Sequence, residues 1–186
     1  PYENLSGILR EGILSREELN NRKRKSAFTD DERWDRREDF ICTSLSFPNS
    51  KLLRKKEYEH RKDFLIFSIS PEILFMNVCI FCPTNAAKNH PNFKPSGRHS
   101  FKNLSVNEDF LRLFDKTEIR NMNNIKNNEP TDIQAEVLIF KKIPIHFIKN
   151  IYCKDTVILK KILSEFPDVN KRNANFVQVN SSLFEQ

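Results

Sequence analysis

The sequence predicts an α+β domain, on three observations. Strand candidates and short helical segments follow one another irregularly, without the repeating β-α-β period of a doubly wound sheet. Glycine is scarce: the three in 186 residues stand at 7, 12 and 97, too few for a Gly-rich dinucleotide or phosphate loop. Sixteen phenylalanines within a 38% hydrophobic composition supply an aromatic and aliphatic interior. A chain of this length holds one domain with a substantial core, and the reading is a single domain over 1–186.

Asn4, Leu5, Ile8 and Leu9 are spaced as one face of a short helix that ends near Gly12. Ile13 and Leu14 pack back, and Ser15 with Glu18 forms a capping signal for a second short helix. Residues 20–39 are almost wholly polar and read as a long connection over a functional face. Alternation over 41–47, closed by Pro48 and Asn49, predicts a strand, and residues 64–69 a stronger one. Pro71 suits the first turn of a short helix reaching Leu74. Residues 78–81 give a third strand, and the polar stretch 83–107 a loop. A short helical element follows over 110–114, then a polar segment, 120–132, leading to an apolar strand at Val137 to Phe140. Ile143 to Ile148 reads as a turn or short helix, and Ile151 to Cys153 as a strand. Val157, Leu159, Ile162 and Leu163 mark a helix stopped by Pro167, and residues 176–179 close the domain as an edge strand.

The formal charge of +6, from 31 Lys and Arg against 25 Asp and Glu, favours polyanions moderately. Cysteines 79 and 82 are spaced like half a zinc site, but there is no second close pair, so buried free thiols are the expected state and no metal is assigned. The histidines at 60, 90, 99 and 146 show no ligand spacing. Asp30, Asp31 and Glu32 read as a solvated acidic turn, which disfavours a metal-dependent nuclease. No segment reaches transmembrane length and no signal peptide is visible. The expected setting is cytoplasmic, with no membrane partner.

Glu136 stands at the mouth of the apolar strand with polar residues before it. As a surface residue it would pair with Lys141, Lys142 or Arg120. As a functional one it would orient a sugar hydroxyl and stabilise the positive charge that develops on a ribose when an N-glycosidic bond breaks. It could also take a proton from an attacking acceptor. Gln134, two residues earlier, is expected on the same strand face to help orient substrate. Arg16, Arg36 and Arg37 are candidates for a pyrophosphate, through paired guanidinium donors. The run Arg22, Lys23, Arg24, Lys25 fits diffuse attraction to a phosphate backbone. Trp34, with Phe28 and Phe40, offers base stacking or a hydrophobic cap.

In order and spacing, several segments resemble the DarT family, which transfers ADP-ribose from NAD to bases of single-stranded DNA. They are Asn4-Leu5 through Gly12-Ile13-Leu14-Ser15-Arg16, residues 41–49, Asn85-Ala86-Ala87, and Gln134-Ala135-Glu136-Val137-Leu138-Ile139 followed by Ile143-Pro144. The resemblance spans most of 1–155. It implies an ADP-ribosyltransferase-like fold with a split central β-sheet, short helices and long substrate loops. It also implies that Glu136 is the catalytic glutamate and that Arg36 or Arg37 is the arginine such enzymes require. Arg16, Thr43, Ser44 and Gln134 are assigned to NAD, which is consumed as substrate. Residues 120–132 would form the loop that meets the acceptor, with Asn121, Asn123 and Asn124 offering donors and acceptors to an unpaired base. The implied context is a bacterial toxin–antitoxin or antiphage system with a macrodomain antitoxin. The form of residues 42–49 leans toward the guanine-modifying branch, with thymine the other candidate. The family's opening strand, bearing a histidine and a hydroxyl residue, has no counterpart after Pro1 and is expected upstream. Two other readings stand beside this one: NAD-dependent modification of RNA or protein, and a noncatalytic basic nucleic-acid-binding module.

Overall fold

The computed structural model describes residues 1–29, 35–87, 108–171 and 173–185. Trp34, His90, His99, the acidic run 30–32 and most of the expected loop 83–107 lie outside those residues. The helices are α1 (Leu5–Glu11), α2 (Arg16–Asn21), α3 (Ser50–His60), α4 (Ile73–Met76), α5 (Glu108–Leu111), α6 (Thr117–Met122), α7 (Thr156–Glu165) and α8 (Ser182–Glu185). The strands are β1 (Ile13–Leu14), β2 (Phe40–Ser44), β3 (Ile66–Ile69), β4 (Cys79–Cys82), β5 (Glu136–Phe140), β6 (Lys142–Ile143), β7 (Ile148–Cys153) and β8 (Val177–Val179). Short 3-10 turns at Tyr2–Asn4, Arg112–Phe114 and Ile145–Phe147 complete the set.

Two three-stranded sheets, ordered β2-β5-β4 and β3-β7-β8, and a two-stranded ribbon, β1-β6, make the split architecture expected from the sequence. β5 is central and antiparallel to both neighbours, and its register aligns Ser44, Glu136 and Cys82 across the sheet. Directly opposed residues share a face, so the sheet has two unlike sides. Val137, Ile139, Cys79 and Phe81 join a core with Ile73, Leu113 and Ile143, while Leu138 packs with Phe40, Ile80 and Cys82 on the other side. The second sheet is covered by α7, whose Ile158 and Ile162 pack with Ile151, Cys153, Val177 and Leu5.

Gly12 ties the first helix to this framework. It ends α1 at φ 84°, and a Cβ there would lie 2.3 Å from the Ile143 carbonyl oxygen. Only glycine combines that left-handed backbone with so close an approach. Ser15 caps α2 by accepting the Glu18 N–H, as its sequence signal predicts.

One helix goes unannounced by the sequence, and two expectations need correction. Helix α3 was not signalled, because its apolar residues form no stripe and Leu52 and Tyr58 are exposed. It is held instead by Asn49, which accepts the Leu52 N–H, and by a left-handed Arg61 at its C-terminus. The buried positions of α7 are Ile158 and Ile162, whereas Val157 is 74% exposed. Asp155 sets that rotation by accepting the N–H groups of both Val157 and Ile158. Within the polar segment 120–132, finally, the first residues complete a helix, α6.

Candidate active site at the end of the central strand

Glu136 opens β5 and is half-buried, flanked by Ser44 on one side and Cys82 on the other. Its side chain turns toward the face shared by Leu138, where Ala86 also packs. There Oε2 accepts the Ala86 N–H at 2.9 Å. Asn85 braces the same short segment, its Oδ1 accepting the Ala87 N–H at 2.8 Å. The family resemblance gives Asn85 the part of a loop anchor near the substrate. The backbone of this segment aims the carboxylate.

The electrostatics around Cys82 indicate which arginine is near. Burial pushes this thiol up to about 12; the carboxylates of Glu136 and Asp35 push in the same direction, and Arg37 opposes them. Arg37 is half-buried, its guanidinium lies 5.9 Å from the Phe40 ring centroid, and its backbone N–H donates to Asp35 Oδ1 at 3.2 Å. Arg36 is exposed, with φ 54°. The structure therefore brings Arg37 toward the Glu136 face of the sheet. Cys79, also pushed to about 12 by burial, faces the opposite side of β4 from Cys82. Strand geometry thus separates the two sulfurs across the sheet, and they cannot share a metal.

The other assigned residues scatter. Thr43 faces the Val137 side of the sheet, its hydroxyl donating to the Val137 carbonyl at 2.7 Å. It lines a cavity of about 710 Å³, together with Ser44, Val137, Ile139, Phe67 and Tyr152. Val137 and Ile139 bring that cavity against the face of β5 opposite Leu138, and Ser44, at the end of β2, borders it as well. Gln134 is not on the strand: it sits in the preceding turn, its N–H donating to Asp132 Oδ1 at 2.8 Å. Two-residue alternation begins only where the ladder does, so it gives Gln134 no shared face with Glu136. Arg16 lies over the Phe28 ring at 4.7 Å. Asn4 anchors that neighbourhood, donating to the Ala27 carbonyl and accepting from Ala27 N–H and Ser26 Oγ.

The basic run is partly neutralised. Arg22 pairs with Glu18 at 2.8 Å and Glu11 at 3.4 Å, and Arg24 with Glu11 at 3.0 Å, leaving Lys23 and Lys25 as exposed cations. A second cavity, of about 460 Å³, is lined by Lys23, Arg24 and Lys25 and by residues of α1. Asn121, Asn123 and Asn124 are all exposed at the end of α6, with Asn123 Nδ2 donating back to the Ile119 carbonyl. Neither Lys141 nor Arg120 serves Glu136: Lys141 reaches Glu18 at 3.8 Å, and Arg120 is buried among loop carbonyls. Among the described residues no helix is long and apolar enough to cross a membrane.

Comparison with known proteins places the fold. The family model described as "ssDNA thymidine ADP-ribosyltransferase, DarT" matches residues 1–184. Among solved structures the chain is similar to Thermosipho africanus DarTG in complex with ADP-ribose, at 15% identity and TM-score 0.60, over 98% of this chain and 49% of that one. It is also similar to Thermus sp. 2.9 DarT in complex with NAD+, at 18% identity and TM-score 0.58, over 98% and 93% of the two chains. The same Thermus protein in complex with ADP-ribosylated ssDNA gives 16% identity and TM-score 0.59, over 98% and 92%. At these identities the likeness is one of fold, and the chain spans about half the length of the Thermosipho protein. No curated protein matches.

Proposed function

The chain belongs to the DarT family of ADP-ribosyltransferases, and on that premise we propose that Glu136 catalyses transfer of ADP-ribose from NAD to a base of single-stranded DNA. The observation that carries the assignment to this residue is a carboxylate held at the open end of a central strand by the Ala86 N–H. Its position is set by pairing on both sides before substrate arrives, so little reorganisation is needed during reaction.

The chemistry follows from what that carboxylate can do. The C–N bond between ribose and nicotinamide lengthens, and nicotinamide leaves with the bonding electron pair. Positive charge grows on the ribose ring, and a fixed carboxylate stabilises it more than it stabilises bound NAD. A base nitrogen of the acceptor then attacks the anomeric carbon, and Glu136 takes the proton that nitrogen loses. Arg37 is the arginine proposed to hold the NAD pyrophosphate, supported by its guanidinium 5.9 Å from the ring of Phe40, which packs with Leu138 on the Glu136 side of the sheet. Ser44, directly across from Glu136, is proposed as a ribose contact. The exposed Asn121, Asn123 and Asn124, with Lys23 and Lys25, are proposed to meet the DNA. Toxicity, a cytoplasmic setting and restraint by a macrodomain antitoxin belong to the same proposal and rest on the family. For the acceptor, the family model's description favours thymidine over the guanine suggested by residues 42–49.

Incubation with labelled NAD and single-stranded oligonucleotides of varied composition tests the reading. Nicotinamide release with a base-linked adduct is expected, strongest where thymidine is present. An intact, folded chain that forms no adduct on any base overturns it, and label appearing only in RNA or protein moves the enzyme to another acceptor class.

A further inference from the structure

Arg120 is buried, 9% exposed, in a chain whose other arginines and lysines mostly face water. Its Nη1 donates to the Glu129 carbonyl at 2.9 Å and to Thr131 Oγ1 at 3.0 Å, and its Nη2 donates to the Lys126 carbonyl at 2.8 Å. The guanidinium also lies over the Phe114 ring at 5.5 Å. One side chain thus holds three points of the connection between α6 and β5.

The rest of that connection is tied at its edges. The Thr131 N–H donates to the Leu113 carbonyl at 2.8 Å, and its hydroxyl donates to the Asp115 carbonyl. On the opposite side Ser46 Oγ donates to the Asn128 carbonyl, linking the loop to the chain that leaves β2 beside Ser44. Five residues after Thr131 the strand begins with Glu136. A planar fork of fixed N–H directions is suited to fixing several carbonyls at once, which an ammonium on a flexible stem cannot do.

We infer that Arg120 is a positioning residue for the transfer reaction: its side chain, reaching from α6 into the loop 123–132, sets where the acceptor base stands relative to Glu136. It touches neither NAD nor the reacting atoms. The inference rests on the proposed function, since it needs an acceptor to position. Removing the fork leaves the Glu136–Ala86 contact and the paired strands in place while freeing the loop to shift. A misplacement of about 1 Å can cost on the order of 100-fold in such a reaction.

The test is steady-state transfer with NAD and oligonucleotide varied independently, on wild type, Arg120→Lys, Arg120→Gln and Thr131→Val. For Arg120→Gln, kcat/KM for the oligonucleotide should fall tenfold or more while KM for NAD stays within twofold. Arg120→Lys should recover part of the loss, because one ammonium can reach one or two of the three acceptors. Thr131→Val keeps Arg120 and both carbonyl contacts, and should shift the same parameter by a few fold. A parallel fall in both substrates' parameters, or no change in either, overturns the inference. If Arg120→Gln does not fold, Thr131→Val decides: wild-type parameters there also overturn it. A wild-type protein that makes no adduct defeats the proposed function itself, and the inference with it. Normal wild-type transfer with unchanged variants defeats the inference alone.

Discussion

Replacing Glu136 with glutamine removes a charge while keeping the shape and one acceptor oxygen. That oxygen can still take the Ala86 N–H, now as a neutral rather than charge-assisted hydrogen bond. The difference is about 1 kcal/mol. Stability should therefore change by no more than about 1 kcal/mol, or about 2–4 °C in Tm for a chain of this length. The transition state loses far more. A carboxylate about 4 Å from a unit positive charge, at an effective dielectric constant of about 20, contributes roughly 4 kcal/mol, which is about a thousandfold in rate. The assay is nicotinamide release under saturating oligonucleotide, with a melting curve on the same preparation. Glu136→Ala sharpens the comparison. It should lose comparable activity but more stability, about 1–3 kcal/mol, because the Ala86 N–H is left without that acceptor. If the glutamine variant folds normally and stays within tenfold of wild type, the carboxylate is not the group that meets the sugar.

Three further outcomes are expected. Cys79 and Cys82 have folded-state pKa values raised to about 12 against an unfolded value near 9, so the unfolded chain sheds these protons first and stability falls as pH rises from about 9 toward 12. At pH 10 the two thiols together should cost about 3 kcal/mol; denaturant melts should show that slope, and the double Cys→Ala variant should flatten it. Lys23→Glu with Lys25→Glu should weaken single-stranded DNA binding and lower the salt slope by about one to two phosphate contacts, whereas Arg22→Ala should do less, since Glu18 and Glu11 already oppose that charge. Equal salt slopes for the two variants would contradict this division of the basic run. Gly12→Ala forces a left-handed alanine against the Ile143 carbonyl and should lose at least about 2 kcal/mol, read as a Tm drop of roughly 4–8 °C; a change under 1 °C would mean the turn relaxes freely.

What could be read from the residues was whatever announces itself locally. β5 declared itself through four consecutive apolar residues, α2 through Ser15 and Glu18, and the end of α1 through Gly12. The unreadable features join residues distant in sequence. Glu11 neutralising Arg24, or a parallel β7-β8 pair bridged by α7, has no periodicity to betray it. Arg120 is the clearest case. Its partners are mainly carbonyl oxygens, which every residue possesses, so nothing in the types around it distinguishes a buried fork from a surface charge. Helix α3 was missed for a different reason: capping and an exposed Lys55–Glu59 pair hold a helix that buries almost nothing apolar.

The placement of the carboxylate at 136 follows from two opposing demands. Two residues later, at Leu138, an acidic side chain would enter a cluster of Phe40, Ile80 and Cys82 that is almost wholly excluded from water. Ionisation there would cost several kcal/mol, and the group would take up a proton instead. Two residues earlier, at Gln134, the backbone is a turn without ladder partners on either side, and a side chain there is aimed by loop geometry alone. Position 136 is the first in the strand to be paired with both neighbours and, unlike Leu138 on the same face, it is still reached by solvent. It can stay charged and still be fixed in direction. Moving the carboxylate tests this: Glu136→Gln combined with Leu138→Glu should give a protein that is destabilised by several kcal/mol and inactive. Recovery of transfer in that double variant would show that the end of the strand is not what the chemistry requires.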